Sequence, residues 1–585
     1  MDFMLILGSP STIIHSMKRA LLPLAFVLLA APGLVSQTPR RPPLASADID
    51  AITTLVMLED TRTFDQEKLA ALLKSAHPEV RRRAALAIGR IGYPRAQNAT
   101  DAQSAVTTQA RALLVTARGD SNVEVAGTVA FSTGQLKDAD AVSWLGGLLS
   151  TPATAAPVAR EAACSLGKIR SPEARTVLAK YLADAPATAA PDVVGEALLS
   201  SGRFTGPGDI APIVKWSTAK NDEVRWRATW ALFRLRDPAG AEPLLRLSED
   251  PSAEVRFWAV RGLASIDSVP AEMKTRESAR LRAAVKDSDR RVRTEALRAL
   301  ATYQDDASFE VVLAALESPD TWLSVSAAEA MGRYPAKKDA IVPKLVAAAA
   351  PARPTALRLT ALTPLITLAP DAAKDVATSL RDSTSQTART TADRTLQRLA
   401  APPPDPNAAP GARGGGAGRG RGPRPDPPRL PDAEYRRIVE RWVVTDYNGA
   451  PRPRAIWTTP KGEIEIELYP GDAPLAVEYF LHEVESGDIV GTEFGRVVPN
   501  FVAQQDGIKN AITQRDEVNR HGLTAGNLSW ASAGLDTGRP GYTLGTTPQP
   551  HNEGDFTALG RVVRGMDVVD RLELGDAVTA AKMKR

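Results

Sequence analysis

From about residue 47 to 400, apolar residues recur at i, i+3, i+4 and i+7, the spacing of one helix face. One phrase repeats within this region: a polar or acidic turn, then Val-Arg, then alanines and leucines at helical spacing. It stands at Pro78–Ile88, Asp222–Leu232, Ala253–Val260 and Asp289–Leu300, with weaker copies near Asn122, Pro157, Asp192 and Asp320. Val224 and Val255 are 31 residues apart, and Val255 and Val292 are 37 apart, room for two helices and two turns per unit. Asp and Asn in the turn cap the second helix, because their side-chain oxygens accept its free N–H groups. A lone helix pair cannot bury its apolar stripe on both sides, so units of this kind stack into a superhelical solenoid. About eight units are visible, and residues 351–400 keep the periodicity without the phrase, as an atypical capping end.

The pattern then changes. Residues 433–450 predict a short helix, and Glu463–Leu468 alternates apolar and charged residues, the period of a strand with one buried face. A helix over Ala473–Ser486 follows, then strands over Thr492–Val498, Phe501–Gln505, Asn527–Ala531, Gly541–Leu544 and Phe556–Val563, and a helix over Met566–Leu572. Short strands with a few helices predict a mainly β closed barrel over about 453–580.

Between the two regions, residues 401–432 are rich in proline, glycine and arginine and almost free of large apolar residues, so they read as a disordered spacer. At the N-terminus, Met17-Lys-Arg19 precedes an apolar run, Ala20–Ala31, and small residues follow up to Gln37. This is the order of a secretory signal, with Met17 the expected true start. The run is shorter than the roughly 20 apolar residues of a membrane span. The expected location is therefore periplasmic or extracellular, an uncleaved N-terminal anchor being the alternative.

A chain of 585 residues is too long for one ordinary domain, and a net charge of +4 does not argue for nucleic acid as a partner. The single cysteine, Cys164, excludes an intramolecular disulfide and a cysteine-rich metal site, and reads as a small buried helix residue. The repeat arginines Arg81, Arg225, Arg256 and Arg293 read as contacts between neighbouring helices, and Trp226, Trp230 and Trp258 as packing. His482 and His521 have no metal or triad spacing.

The repeated phrase resembles HEAT repeats and the related PBS-lyase HEAT-like repeat, which implies a protein-docking scaffold with an unknown partner. The C-terminal phrases resemble the cyclophilin-type peptidyl-prolyl cis-trans isomerase domain: Ala473-Pro474 with Val477–Phe480, Phe494, Arg496-Val-Val-Pro499, Phe501, Gln504, Asp516-Glu517, Asn527–Ala531, Asp536-Thr-Gly538 and Gly560–Asp570. The resemblance implies X-Pro isomerisation without metal or cofactor, acting on proline-containing clients. It implies catalytic roles for Arg496, Phe501 and Gln504, and substrate contacts from Val502, Ala531, Tyr542, Thr543, His551, Asn552 and Phe556. Departures from the family phrase are Gly495 for a histidine, Val502 for a methionine, Arg539–Thr543 for Gly-Ser-Gln-Phe-Phe, and Phe556 for a histidine. Thr543 takes a phenylalanine position unless a one-residue shift puts Tyr542 there. The changes at Pro540, Gly541 and Thr543 support a second reading: a weak or inactive domain that captures proline-containing segments as part of a scaffold.

Overall fold

The computed structural model describes residues 41–94, 101–204, 206, 208–266, 268–401, 429–508, 513–532 and 534–584. The expected signal segment, and all of the expected spacer between 402 and 428, lie outside the described residues.

The repeated phrase folds as the second helix of each pair. These helices, Pro78–Ile91, Val123–Gln135, Ala156–Ile169, Pro191–Ser201, Asp222–Leu235, Ala253–Leu263, Arg290–Leu300 and Thr321–Met331, pack one against the next as an inner layer. Asn122, Asn221, Asp289 and Asp320 cap their helices as the turn chemistry requires. The inner helices approach so closely that a Cβ on Gly134 would lie 2.4 Å from Ser165 Oγ.

The repeat arginines tie neighbouring units together. Arg225 donates to Asp250 through Nε and Nη2, both at 2.9 Å, and Arg256 repeats the fork on Asp287. Arg81 makes the same fork on Asp120, whereas Arg293 reaches Asp320 through Nη2 alone, at 3.2 Å, the other oxygen accepting from Arg290 Nε at 3.1 Å. Each repeat arginine also donates from Nη1 to carbonyls of its own preceding turn, as Arg225 does to Ala219 and Lys220. Trp226, Trp230 and Trp258 are buried, and Trp226 stacks on Trp258 at 6.5 Å. Cys164 is buried in its helix, and burial pushes its thiol up to about 12.

The C-terminal domain is an eight-stranded antiparallel sheet in the order β3-β4-β6-β5-β7-β2-β1-β8. The strands are β1 Arg454–Thr459, β2 Gly462–Leu468, β3 Glu493–Val498, β4 Val502–Asp506, β5 Asn527–Ala531, β6 Arg539–Gly545, β7 Ala558–Arg564 and β8 Ala580–Met583. Of these, β1 and β8 are additional to the strands the pattern predicts. The sheet curls until the outer edge of β3 meets the segment leading into β8. Gly491 N donates to Val578 O at 2.8 Å, and Phe494 N to Asp576 O at 2.7 Å. Trp457, Phe480, Trp530 and Tyr542 fill the interior beneath the helix Pro474–Ser486.

The sequence presents the two regions as separate bodies joined by a spacer. In the fold the sheet domain sits against the inner face of the helical array. Its apolar core is continuous with that of the first repeats through Tyr435, Ile438, Val439 and Trp442, carried by the helix Asp432–Ile438 and the wider helical turn Val439–Val444. Solenoid arginines donate to backbone carbonyls of the sheet domain along the arc. Arg83 reaches Gly471 O, Arg90 reaches Val518 O (2.8 Å) and Asp472 O (2.7 Å), and Arg203 reaches Pro550 O (2.6 Å). Arg290 reaches Asp570 O at 2.9 Å. At the far end Glu493 accepts from Gln386 N (2.7 Å) and Thr387 N (2.9 Å), capping the helix Gln386–Ala400 from outside. Arg62 closes the near end, donating to Asp516 O at 2.7 Å and to the Asp536 carboxylate.

Candidate active site

Cross-strand register builds the site. Arg496 on β3 lies opposite Gln504 on β4, Gln504 opposite Thr543 on β6, and Thr543 opposite Ser529 on β5. These residues share one row, on the face opposite the buried row Ala503, Leu544 and Leu528. Arg496 is exposed and donates from Nη1 to Gln504 Oε1 at 3.4 Å. Its guanidinium lies 5.5 Å from the centroid of the half-buried Phe501 ring. Among residues with described side chains Arg496 has no carboxylate partner, so its charge is available to a ligand.

Phe501 forms the apolar floor and stacks on His551, ring centroids 6.2 Å apart and 20° from parallel. Gln549, which the sequence reading did not single out, braces that floor by donating from Nε2 to Phe501 O at 3.0 Å. Asn552 donates to Gln549 Oε1 at 2.9 Å and so supports the brace. Burial, then the charges of Arg234, Arg261 and Arg203, holds His551 down at about 4, so its imidazole is neutral at pH 7. Val502 and Ala531 are buried, and Phe556 is half-buried at the approach to β7.

Tyr542 is not on this surface. It is fully buried between Trp530, Phe480 and Trp457, and its hydroxyl donates to the Glu483 carboxylate. Glu483 is pushed up to about 7 by that burial. The residue facing the cleft is Thr543, whose Oγ1 is 2.6 Å from Ser529 Oγ. Successive strand residues point to opposite faces, so only one of the pair can line the cleft. His521 lies in the loop before β5, where it stacks on Tyr469 at 3.8 Å, with Nε2 3.2 Å from Asp472 Oδ2.

The hairpin carrying Arg496 and Phe501 is gripped by the solenoid. Its turn residue Asn500 has φ +60° and donates from Nδ2 to Arg291 O at 3.0 Å and to Glu295 Oε1 at 2.8 Å. Arg298 donates to Pro499 O at 3.2 Å, and Arg261 to Asn500 O at 3.4 Å.

One group of potential metal ligands comes together among the described residues: Cys164, Glu196 and Glu553, with ligand atoms within 4.8 Å of one another. Arg160 lies 3.4 Å from Glu196, and Arg203 lies 3.7 Å from Glu553. The carboxylates already have cationic partners, so this group is a poor fit to a metal ion.

Residues 455–585 match the family model described as cyclophilin type peptidyl-prolyl cis-trans isomerase/CLD. Residues 110–199 and 210–275 match the model for HEAT repeats. The chain is 35% identical over 130 residues to peptidyl-prolyl cis-trans isomerase B of Bacillus subtilis, covering 21% of this chain and 91% of that protein. It is 33% identical over 150 residues to a peptidyl-prolyl cis-trans isomerase of Helicobacter pylori, covering 24% and 92%. A peptidyl-prolyl cis-trans isomerase of Synechococcus elongatus is 32% identical over 138 residues, covering 22% and 95%.

Proposed function

Because the chain belongs to the cyclophilin-type peptidyl-prolyl cis-trans isomerases, we propose that it rotates X-Pro bonds of exported client polypeptides, with Arg496, Phe501 and Gln504 as the working group. An X-Pro bond is slow to rotate because amide resonance sets a barrier of roughly 18–20 kcal/mol. Cis and trans differ little in energy at proline, so the barrier is what an enzyme must lower. Rotation breaks the resonance and returns a lone pair to the prolyl nitrogen. A donor fixed near that nitrogen stabilises the twisted amide more than either planar form. Arg496 is permanently charged and planar, and takes that role. Phe501 seats the proline ring, and Gln504 both orients Arg496 and hydrogen-bonds client backbone. His551 and Thr543 border the seat. No proton is moved and no covalent bond is made.

The observation that carries this reading is the juxtaposition of an exposed, ion-unpaired Arg496 with the Phe501 ring at 5.5 Å and Gln504 at 3.4 Å. In this reading the solenoid holds the catalytic hairpin in place and forms one side of the cleft. The test is exchange NMR on a short Ala-Pro peptide with the full chain. Cis/trans exchange should accelerate, and Arg496→Ala should lower kcat/KM by roughly 100- to 1000-fold, the usual loss for one preorganised donor. Peptide binding with no faster exchange would replace the isomerase with a capture module.

A further inference from the structure

The side of the cleft contributed by the solenoid is strongly basic. Arg234 stands in the last turn of the helix Asp222–Leu235, and Arg236 is the residue just past that helix, with φ +54°. Arg170 occupies the same place after Ala156–Ile169, with φ +58°. Arg261 lies in the last turn of Ala253–Leu263, and Arg203 just beyond Pro191–Ser201. The ends of successive inner helices therefore gather five guanidinium groups: Arg203, Arg234 and Arg261 face His551, and Arg170 and Arg236 neighbour Arg234.

Two of the five are already engaged. Arg203 is buried against Pro550 O and Glu553, and Arg261 donates to Asn500 O with Glu295 3.9 Å away. The other three, Arg170, Arg234 and Arg236, make no side-chain hydrogen bond or ion pair among the described residues. Partial burial, followed by Arg236, Arg170, Arg261 and Arg203, pulls the Arg234 guanidinium below its ordinary range, and no carboxylate offsets them. A cation in the last turn of a helix gains from the helix dipole, but that gain is small and does not call for like charges to be gathered at one place. Elsewhere in this array the repeat arginines are matched one to one with aspartates. An unmatched cluster is electrostatically costly until an anion enters it.

We propose that Arg234, Arg236 and Arg170 form an anion-reading wall of the prolyl cleft, which selects client segments carrying an aspartate or glutamate within a few residues of the proline. The inference rests on the isomerase reading only for the location of the proline. Arg261 and Arg203 link the wall to the floor, since one holds the Asn500 turn and the other the His551 turn. A client carboxylate would then be bound by a pair or trio of guanidinium groups, in the planar geometry that arginine favours.

The experiment uses the full chain and peptides identical except for Glu or Gln at each position from three before to three after one proline. Affinity is read by fluorescence anisotropy and isomerisation by exchange NMR. At one or more positions Glu should bind about three- to tenfold more tightly than Gln, the scale of a partly exposed charge pair. That ratio should shrink as salt rises from about 0.05 to 0.5 M. In Arg234→Gln/Arg236→Gln the ratio should fall to about one, and because it is taken within one variant, partial loss of folded protein cancels. A ratio near one at every position in the wild type, or a preference that persists in the variant, would overturn the proposal. Glu-selective binding without accelerated exchange would leave the wall standing and remove the isomerase reading instead.

Discussion

The Asn500 side chain is one of the grips by which the solenoid holds the hairpin that carries Arg496 and Phe501. Replacing Asn500 with glycine keeps a backbone that accepts φ +60° and removes only the side-chain bonds to Arg291 O and Glu295. A hydrogen bond to a charged group contributes about 1.5–3 kcal/mol. A loss of about 2 kcal/mol corresponds to roughly 30-fold in the opening equilibrium of the hairpin. Asn500→Ala should cost about 1 kcal/mol more, because alanine resists the left-handed conformation. Hydrogen–deuterium exchange read by mass spectrometry across residues 496–505 measures that opening directly. Glu295→Ala should give a similar acceleration. The double variant Asn500→Gly/Glu295→Ala should add little to either, the signature of a shared bond. Exchange in β1 and β8 should be unaffected. Exchange across 496–505 within twofold of wild type in Asn500→Gly, or an equal acceleration in every strand, would refute a local clamp.

Glu517 gives a pH prediction. It is buried between the array and the sheet, accepts from Ala476 N at 2.7 Å, and is pushed from 4.5 up to about 7 by burial, with Arg90 opposing. A raised folded value means that the folded state holds the proton more tightly. The associated stability is fully present below about 4.5 and is lost as pH rises to about 7. Glu517→Gln keeps the acceptor and removes the titration. Its urea-unfolding free energy should fall less between pH 5 and 7 than that of the wild type, by up to about 1.4 kcal/mol per pH unit; parallel profiles would sink the assignment. Export is tested by fusing residues 1–45 to a phosphatase that is active only outside the cytoplasm, where phosphatase activity supports the secretory reading and its absence rejects it.

Much of the helical array was legible because each unit restates the same physics: a capping turn, an apolar stripe, and an arginine that finds the next unit's aspartate. The order of the central strands was legible from alternation and from the family phrases. The face of Tyr542 was not. Register there depends on an irregularity between Trp530 and Ala531 in the β5–β6 pairing, and slipping by one residue exchanges cleft for core. β8 is four residues long, Ala-Ala-Lys-Met, with no β-branched side chain to mark it, and only pairing with β1 makes it a strand. The seating of one region on the other left no pattern because most of its acceptors are backbone carbonyls. Arg83, Arg90, Arg203 and Arg290 look in sequence like any other helix arginine, and Gly471, Val518, Pro550 and Asp570 receive them through the main chain. Gln549 was overlooked for a related reason: its side-chain amide supports the main-chain carbonyl of Phe501 and not the ring.

A stack of helix pairs ordinarily behaves as a spring, its pitch free to open and close. Here Arg62 holds the first turn to Asp536, and the start of the helix Gln386–Ala400 is held by Glu493. A spring gripped near both ends by one rigid body cannot lengthen without letting go. The order of synthesis adds a second consequence: the ribosome makes the cradle before its occupant. Until the final strands emerge, the inner face of the array, with its row of arginines, stands open, so the nascent cradle has to keep its shape unfilled or take it only when the occupant folds into place.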